Sequence, residues 1–176
     1  MKTFIKYLLK LALILILFSA VSCVAKKVWV STPEYANATN DFYEATITPE
    51  KDEDTFYASF RLDILNKSNE ELQIDWNKTL YLYNGNASGI FLFKGIKPED
   101  IKNLSIPDDI VQPGEKFTKK ISPLKMVARS PLKSGKEQAY TPGILPNGRN
   151  GINLVIKQGG NEYIEKLSFV IKEMSE

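Results

Sequence analysis

The sequence predicts an all-β fold: an antiparallel β-sandwich of about seven to nine strands, preceded by a helical signal peptide. Apolar and polar residues alternate with period two in several segments after residue 41, as in half-buried strands. Turn-forming stretches, Asn84-Gly85-Asn86 and Gly159-Gly160-Asn161 among them, separate these segments. The length of 176 residues, with 43% hydrophobic and 25% charged residues, is that of one globular domain. Many short strands with such punctuation are typical of a sandwich.

Residues 1–22 are expected to form the signal peptide. Lys2, Lys6 and Lys10 give a basic start, and Leu11–Val21 is an apolar stretch of the length such signals have. A membrane-spanning helix is one alternative, but it needs about 20 apolar residues, and the uncharged run from Leu11 has 15. A second alternative is an ordinary secretory signal that leaves Cys23 as a free thiol.

The stretch Ser19-Ala20-Val21-Ser22-Cys23 resembles the lipobox of bacterial lipoproteins, with Ala20 where that family prefers leucine. The resemblance implies that the thiol of Cys23 receives a diacylglyceryl group and that the Ser22–Cys23 bond is cut. Acyl chains on Cys23 would then attach the protein to a membrane, since each buried methylene contributes about 0.8 kcal/mol. Val24 is not the aspartate that resembles an inner-membrane retention signal. The expected location is therefore extracytoplasmic, and in a host with two membranes the outer membrane facing the periplasm.

Residues 23–40 are expected to be the lipidated N-terminus and a tether, followed by the β-sandwich domain over residues 41–176. Pro33, Asn37 and Asn40 argue against regular structure in the tether. The apolar stretch Val28-Trp29-Val30 leaves two alternatives open, a short paired strand or a segment packed onto the domain.

The clearest strand covers Phe56–Ile64, in which Phe56, Ala58, Phe60, Leu62 and Ile64 share one face. Leu72, Ile74 and Trp76 alternate in the same way, so the two stretches form either a hairpin or a strand–loop–strand unit with Trp76 turned inward. The remaining predicted strands are 42–48, 79–83, 89–93, 116–122, 151–157 and 163–172. Pro98–Leu104, with an initial proline and early acidic residues, predicts one short helix.

Two features are similar to immunoglobulin-like domains of bacterial envelope lipoproteins. They are a strand that ends in Asn66-Lys67-Ser68, and the turn Val111-Gln112-Pro113-Gly114-Glu115 leading into Phe117–Ile121. The resemblance covers about 80 residues and implies the architecture alone. The stretch Asp75-Trp76-Asn77-Lys78-Thr79 resembles one found in uncharacterised bacterial lipoproteins, which implies no activity.

The composition disfavours several classes of function. Histidine is absent from the sequence, which removes the commonest general base and a common metal ligand. Without the leader lysines, 20 basic residues face 21 acidic ones, so the mature chain lacks the positive charge of nucleic-acid-binding proteins. The sequence thus predicts no catalytic site, metal, cofactor or nucleic-acid partner.

Residues 122–150, here called the basic loop, are the strongest candidate for a binding site. They are rich in proline and glycine and contain a single acidic residue, Glu137. Long loops without regular structure are often functional, and this charge would suit an anionic partner such as phospholipid headgroups, lipopolysaccharide or an acidic glycan. A solvated loop without a partner is the alternative. The basic residues are Lys125, Arg129, Lys133, Lys136 and Arg149.

Two weaker features each have an ordinary structural alternative. The acidic stretch Glu50–Asp54 could offer oxygen ligands to calcium, but acidic turns between strands are common. Tyr57, Tyr81, Tyr83 and Phe91 could form an exposed aromatic strip for a carbohydrate or peptide, or could be covered by the core and by loops.

Taken together, these features predict a lipid-anchored protein of the cell envelope with a non-catalytic binding role, whose partner is an envelope protein, glycan or lipid. A structural or assembly accessory that acts by strand addition at a sheet edge is the alternative. A hydrolase is disfavoured by the lack of histidine and of a nucleophile or phosphate-binding motif.

Overall fold

The computed structural model describes residues 27–96, 98–103, 105–129 and 140–175. The predicted leader, Ser22, Cys23, Lys133 and Lys136 lie outside these residues. Within them, no helix is long and apolar enough to cross a bilayer.

Strands make up most of the described chain, which confirms the all-β prediction. One short helix, α1 (Pro98–Asn103), lies where a helix was predicted. The thirteen strands among the described residues are β1 (Lys27–Thr32), β2 (Ala36–Thr39), β3 (Tyr43–Asp52), β4 (Phe56–Asn66), β5 (Leu72–Ile74), β6 (Leu80–Tyr83), β7 (Asn86–Leu92), β8 (Asp109–Val111), β9 (Lys116–Pro123), β10 (Ala128–Arg129), β11 (Tyr140–Thr141), β12 (Gly148–Gln158) and β13 (Asn161–Ser175).

Eleven of these strands form one curled antiparallel sheet in the order β1-β13-β12-β6-β7-β9-β4-β3-β2, with β5 joined to both β12 and β8. Strand β7 makes the curl possible, because its first part pairs with β6 and its last residues pair with β9. The two halves of the sheet therefore face each other. The two-residue strands β10 and β11 pair separately, within the basic loop.

The core lies between these two halves. Phe60 of β4 and Phe169 of β13 meet edge to face at 5.2 Å between ring centres, and Phe60 also contacts the rings of Tyr81 and Phe91. Many of the other core side chains come from β3, β4 and β12, because every second side chain of these strands points inward. Apolar burial between the halves is the main source of stability.

The N-terminal part of the described chain belongs to the sheet. β1 pairs with β13 from Lys27 opposite Ser175 to Thr32 opposite Val170, and β2 pairs with β3. Of the two alternatives for Val28-Trp29-Val30, the paired strand is therefore the observed one, with Trp29 packed against the core. From Lys27 onward, the segment expected to be a tether is part of the fold.

Several predicted strands are observed and are somewhat longer than predicted. The shortest strands were not predicted. Strands of two to four residues, such as β2 and β8, are too short for a period of two to show, so thirteen strands replace the predicted seven to nine. The basic loop is also shorter than predicted, because β9 continues through Pro123 and β12 starts at Gly148. Leu72–Ile74 pairs with β12 and β8, which selects the strand–loop–strand alternative over a hairpin with β4.

The turn between β6 and β7 forms as its residue types indicate. Asn84 and Gly85 have φ angles of 49° and 83°, a conformation that asparagine and glycine tolerate and that matches strand twist in two-residue hairpin turns. The side-chain oxygen of Asn84 also accepts a hydrogen bond from the backbone N–H of Arg149, at 3.0 Å. This turn is thereby fixed to the start of β12.

Asn66, at the end of β4, holds together the end of the sheet farthest from the basic loop. Its side chain is fully buried and donates to the carbonyls of Glu70 and Val111 at 2.7 and 2.9 Å. Its side-chain oxygen accepts from the backbone N–H and the hydroxyl of Ser68. One amide side chain thus joins β4, the connection to β5, and β8.

We expect Asn66→Ala to lower the free energy of unfolding by about 2–4 kcal/mol, because each buried group left unpaired costs about 1–3 kcal/mol. Urea unfolding monitored by tryptophan fluorescence measures this change. Asn37→Ala, at an exposed position on β2, is the matched control and should stay within about 0.5 kcal/mol of the parent chain. Equal effects of the two substitutions would contradict this role of Asn66.

Candidate ligand-binding groove at the base of the basic loop

Trp76, in the connection between β5 and β6, is buried as predicted and contacts both the segment that follows β7 and the start of β8. The indole N–H of Trp76 donates to the carboxylate of Asp109 at 2.7 Å, and its ring packs on Phe93 at 4.5 Å between centres. The ammonium of Lys119 forms an ion pair with the same carboxylate and lies 4.1 Å from the centre of the Phe93 ring. Ion pairing and cation–π contact therefore hold Lys119 in place.

Lys119 also protects a sheet edge. β9 pairs with β4 from Lys116 to Ile121 but with β7 only at Ser122 and Pro123, so most of its second edge has no strand partner among the described residues. An inward-pointing charge on such an edge discourages pairing with another chain. Strand addition is therefore disfavoured at β9.

A groove opens where β7 and β9 separate, at the foot of the basic loop. Its volume is about 460 Å³, within the range of about 300–1,000 Å³ typical of ligand sites. Leu92 and Ser122 lie at the paired end, and the two arms of the loop contribute Val127 and Pro142. The remaining lining residues are Phe93, Lys94, Gly95, Ile96 and Lys120.

The two arms of the loop are held together beside this groove. β10 pairs with β11, Ala128 opposite Thr141. Just below this pair, a Cβ placed on Gly143 would lie 2.1 Å from the carbonyl oxygen of Met126. Only glycine allows the arms to approach so closely. The groove therefore has a wall of defined position on the loop side.

The polar groups of the groove differ in how well they are paired. The ammonium of Lys120 lies 3.5 Å from a carboxylate oxygen of Glu50. Lys94 is exposed, and no carboxylate within the described part of the chain pairs with it. Ser122 is only 7% exposed, and its hydroxyl has no hydrogen-bond partner among the described residues. A cation and a hydroxyl, both without partners among the described residues, thus lie beside the apolar side chains that line the groove.

The structure separates the basic residues predicted as a binding site. Lys125 is exposed in a single 3-10 turn, Leu124–Met126, and Arg129 is in β10, so both belong to the arm that borders the groove. Arg149 is exposed on β12 and lies beside the β6–β7 turn. Lys133 and Lys136 fall within 130–139, outside the described residues.

The N-terminus of the described chain lies at the same end of the sheet as the basic loop. Ile171 of β13 pairs with Gly148 at the start of β12, while Lys27 pairs beyond it, with Ser175. The backbone N–H of Leu145, in the loop, donates to the carbonyl of Tyr57 at 2.8 Å, near the start of β4. Cys23 precedes Lys27 by four residues in sequence.

The acidic stretch Glu50–Asp54 covers the last residues of β3 and the start of the turn to β4, with positive φ angles at Glu53 and Asp54. One of its carboxylates, that of Glu50, already pairs with two basic side chains, Arg61 and Lys120. Among the residues that the structure describes, no group of three or more potential metal-ligating side chains is found.

Asp75 forms the most buried ion pair of the described chain, on the outer side of β12. Its carboxylate lies 2.6 Å from the ammonium of Lys157 and accepts from the backbone N–H groups of Asn77 and Lys78. Burial opposes ionisation of Asp75, but these hydrogen bonds outweigh it and hold its pKa below the ordinary value. The hydrogen bond to Asp75 raises the pKa of Lys157. Every partner here is internal, so the pair is structural.

The candidate aromatic strip divides between core and partly covered positions. Tyr81 and Phe91 are buried, whereas Tyr57 and Tyr83 are half-buried. The hydroxyl of Tyr81 donates to the side chain of Asn150, and burial raises the pKa of Tyr81. Core packing is therefore the correct alternative for Tyr81 and Phe91.

Comparison with known proteins found no matching family model, no similar curated protein and no similar solved structure.

Proposed function

We propose that this protein is a lipid-anchored, non-catalytic binding protein of the bacterial cell envelope. Acylation and cleavage at Cys23 would attach it to the extracytoplasmic side of a membrane, the outer membrane facing the periplasm in a host with two membranes. The leader, the lipobox-like stretch and the short distance from Cys23 to β1 support this attachment. We further propose that the curled sheet is an immunoglobulin-like sandwich.

The observation that carries the binding role is the groove at the foot of the basic loop. It combines apolar side chains with a cation, Lys94, that no described carboxylate neutralises, and Lys125 and Arg129 belong to the loop arm that borders it. Apolar pockets with a few convergent polar groups are the usual form of a ligand site. An envelope component with negative charge is the partner that fits.

Charge reversal in the basic loop tests this binding role. The variant carries glutamate at Lys125, Arg129, Lys133 and Lys136, and a control carries glutamate at four lysines outside the loop, Lys67, Lys102, Lys166 and Lys172. Each lysine or arginine near an anionic surface contributes about 1 kcal/mol. We therefore expect at least a tenfold loss of the partner recovered by crosslinking in native membranes, at an unchanged thermal midpoint. Equal recovery with both variants would contradict a role for the loop.

Strand addition remains a second candidate because of β1. This edge strand pairs only with β13 among the described strands, and Val28-Trp29-Val30 carries none of the charges that commonly protect an edge. Lysines at Val28 and Val30 should then abolish partner recovery, while the loop variant retains it. The opposite pattern would assign the partner to the groove and loop.

A further inference from the structure

The floor of the groove contains a hydroxyl without a partner. Ser122 is more than nine-tenths buried, lines the groove, and pairs through its backbone with Leu92. Its hydroxyl forms no hydrogen bond with the described residues and is accessible from the groove, so it is available to donate to a ligand or to water. A ligand oxygen at this position would supply the missing bond.

The charge beside this hydroxyl is positive. Lys94 and Lys120 both line the groove. Glu50 partly neutralises Lys120 at 3.5 Å, whereas Lys94 has no carboxylate partner within the described ranges. A ligand that places an anionic oxygen near Ser122 would gain a hydrogen bond and an ion pair together, and charge-assisted bonds of this kind are about twice as strong as neutral ones.

The remaining lining side chains favour an apolar group. Leu92, Phe93 and Ile96 line one side, and Val127 and Pro142 line the other. These side chains carry no charge, so an alkyl chain is a group that they could cover. The gain from burial would scale with the length of chain covered, about 0.8 kcal/mol for each methylene.

We infer that the groove binds an amphiphile with one alkyl chain and an anionic head, a carboxylate or a phosphate. The head contacts the Ser122 hydroxyl and the Lys94 ammonium, and the chain lies against the apolar walls. This inference deepens the proposed function, on which it rests for the membrane setting in which such ligands occur.

Photocrosslinking in membranes tests the inference with the full-length processed protein. Membranes are incubated with a palmitate that carries a diazirine on its chain, irradiated and digested, and the labelled residues are located by mass spectrometry. We expect label at Phe93, Ile96 or Val127. Unlabelled palmitate tests a carboxylate head and lysophosphatidate tests a phosphate head, and either should reduce the labelling by competition. An uncharged monoacylglycerol should compete at least tenfold less well.

Matched variants connect the label to the groove. Lys94→Glu and Ser122→Ala should each reduce labelling at least tenfold, and their controls Lys102→Glu and Ser168→Ala should not. Val127 is half-buried on the loop side of the groove. Val127→Trp would fill the groove there and should abolish labelling, although it leaves Ser122 and Lys94 unchanged. A thermal midpoint within a few degrees of the parent protein establishes that each variant is folded.

Several outcomes would overturn the inference: label spread evenly over exposed surface, equal competition by the uncharged lipid, or labelling unchanged in all three groove variants. Failure of the proposed lipid anchor can be distinguished from failure of this ligand inference. A protein that carries no acyl group on Cys23 refutes the anchor whether or not the groove is labelled. An acylated protein with an unlabelled groove refutes only the ligand.

Discussion

Phe60→Ala is expected to lower the free energy of unfolding by about 3–5 kcal/mol, the range measured when a large aromatic side chain is removed from a core. Phe60 is fully buried, and its ring meets Phe91, Tyr81 and Phe169, which come from β7, β6 and β13. No single strand can move to fill the resulting cavity, because its walls belong to both halves of the sheet. A loss of this size is a large part of the 5–15 kcal/mol typical of a domain.

Urea unfolding at equilibrium measures the change. Phe42→Ala is the matched control, since Phe42 is 39% exposed and contacts the ring of Tyr163 at the surface. It should lose far less stability, about 1 kcal/mol or below. A Phe60→Ala variant that is as stable as this control would mean that the halves of the sheet do not pack as described.

Cys23→Ser is expected to abolish acylation and membrane attachment while the domain stays folded. Serine lacks the thiol that accepts the diacylglyceryl group, and Cys23 precedes the first described strand, which starts at Lys27. Two or three acyl chains give stable attachment, whereas their loss leaves no comparable anchor. Radiolabelled palmitate incorporation and membrane fractionation measure the two effects.

Val24→Ala is the control for Cys23→Ser, because it changes the neighbouring residue without removing the thiol. It should incorporate palmitate as the parent chain does. A serine variant that still takes up palmitate and sediments with membranes would refute lipidation at Cys23.

Alternation predicted the long strands well because one face of each is buried. In β4, the predicted inward residues Phe60, Leu62 and Ile64 are fully buried, and Arg61 is exposed. Ser59 departs from this simple pattern: it lies on the opposite face yet is only 1% exposed, since period alone cannot show which part of an outer face the rest of the chain covers.

The groove could not be predicted, because its residues come from separate parts of the sequence. Lys94, Ser122 and Pro142 meet only when the curled sheet brings β7, β9 and the loop together. The basic composition of the loop did indicate the region, but Lys94 lies outside it in sequence. Lys119 is a second example. Strand alternation places its side chain inward, but it does not identify the carboxylate and the rings that the ammonium contacts.

The mass of the mature protein, purified from membranes of its host, tests the lipid anchor most directly. The proposed anchor predicts an N-terminal peptide that begins at Cys23 and carries the added mass of a diacylglyceryl group. A mature chain that retains its leader, or one that begins elsewhere with an unmodified Cys23, would contradict it.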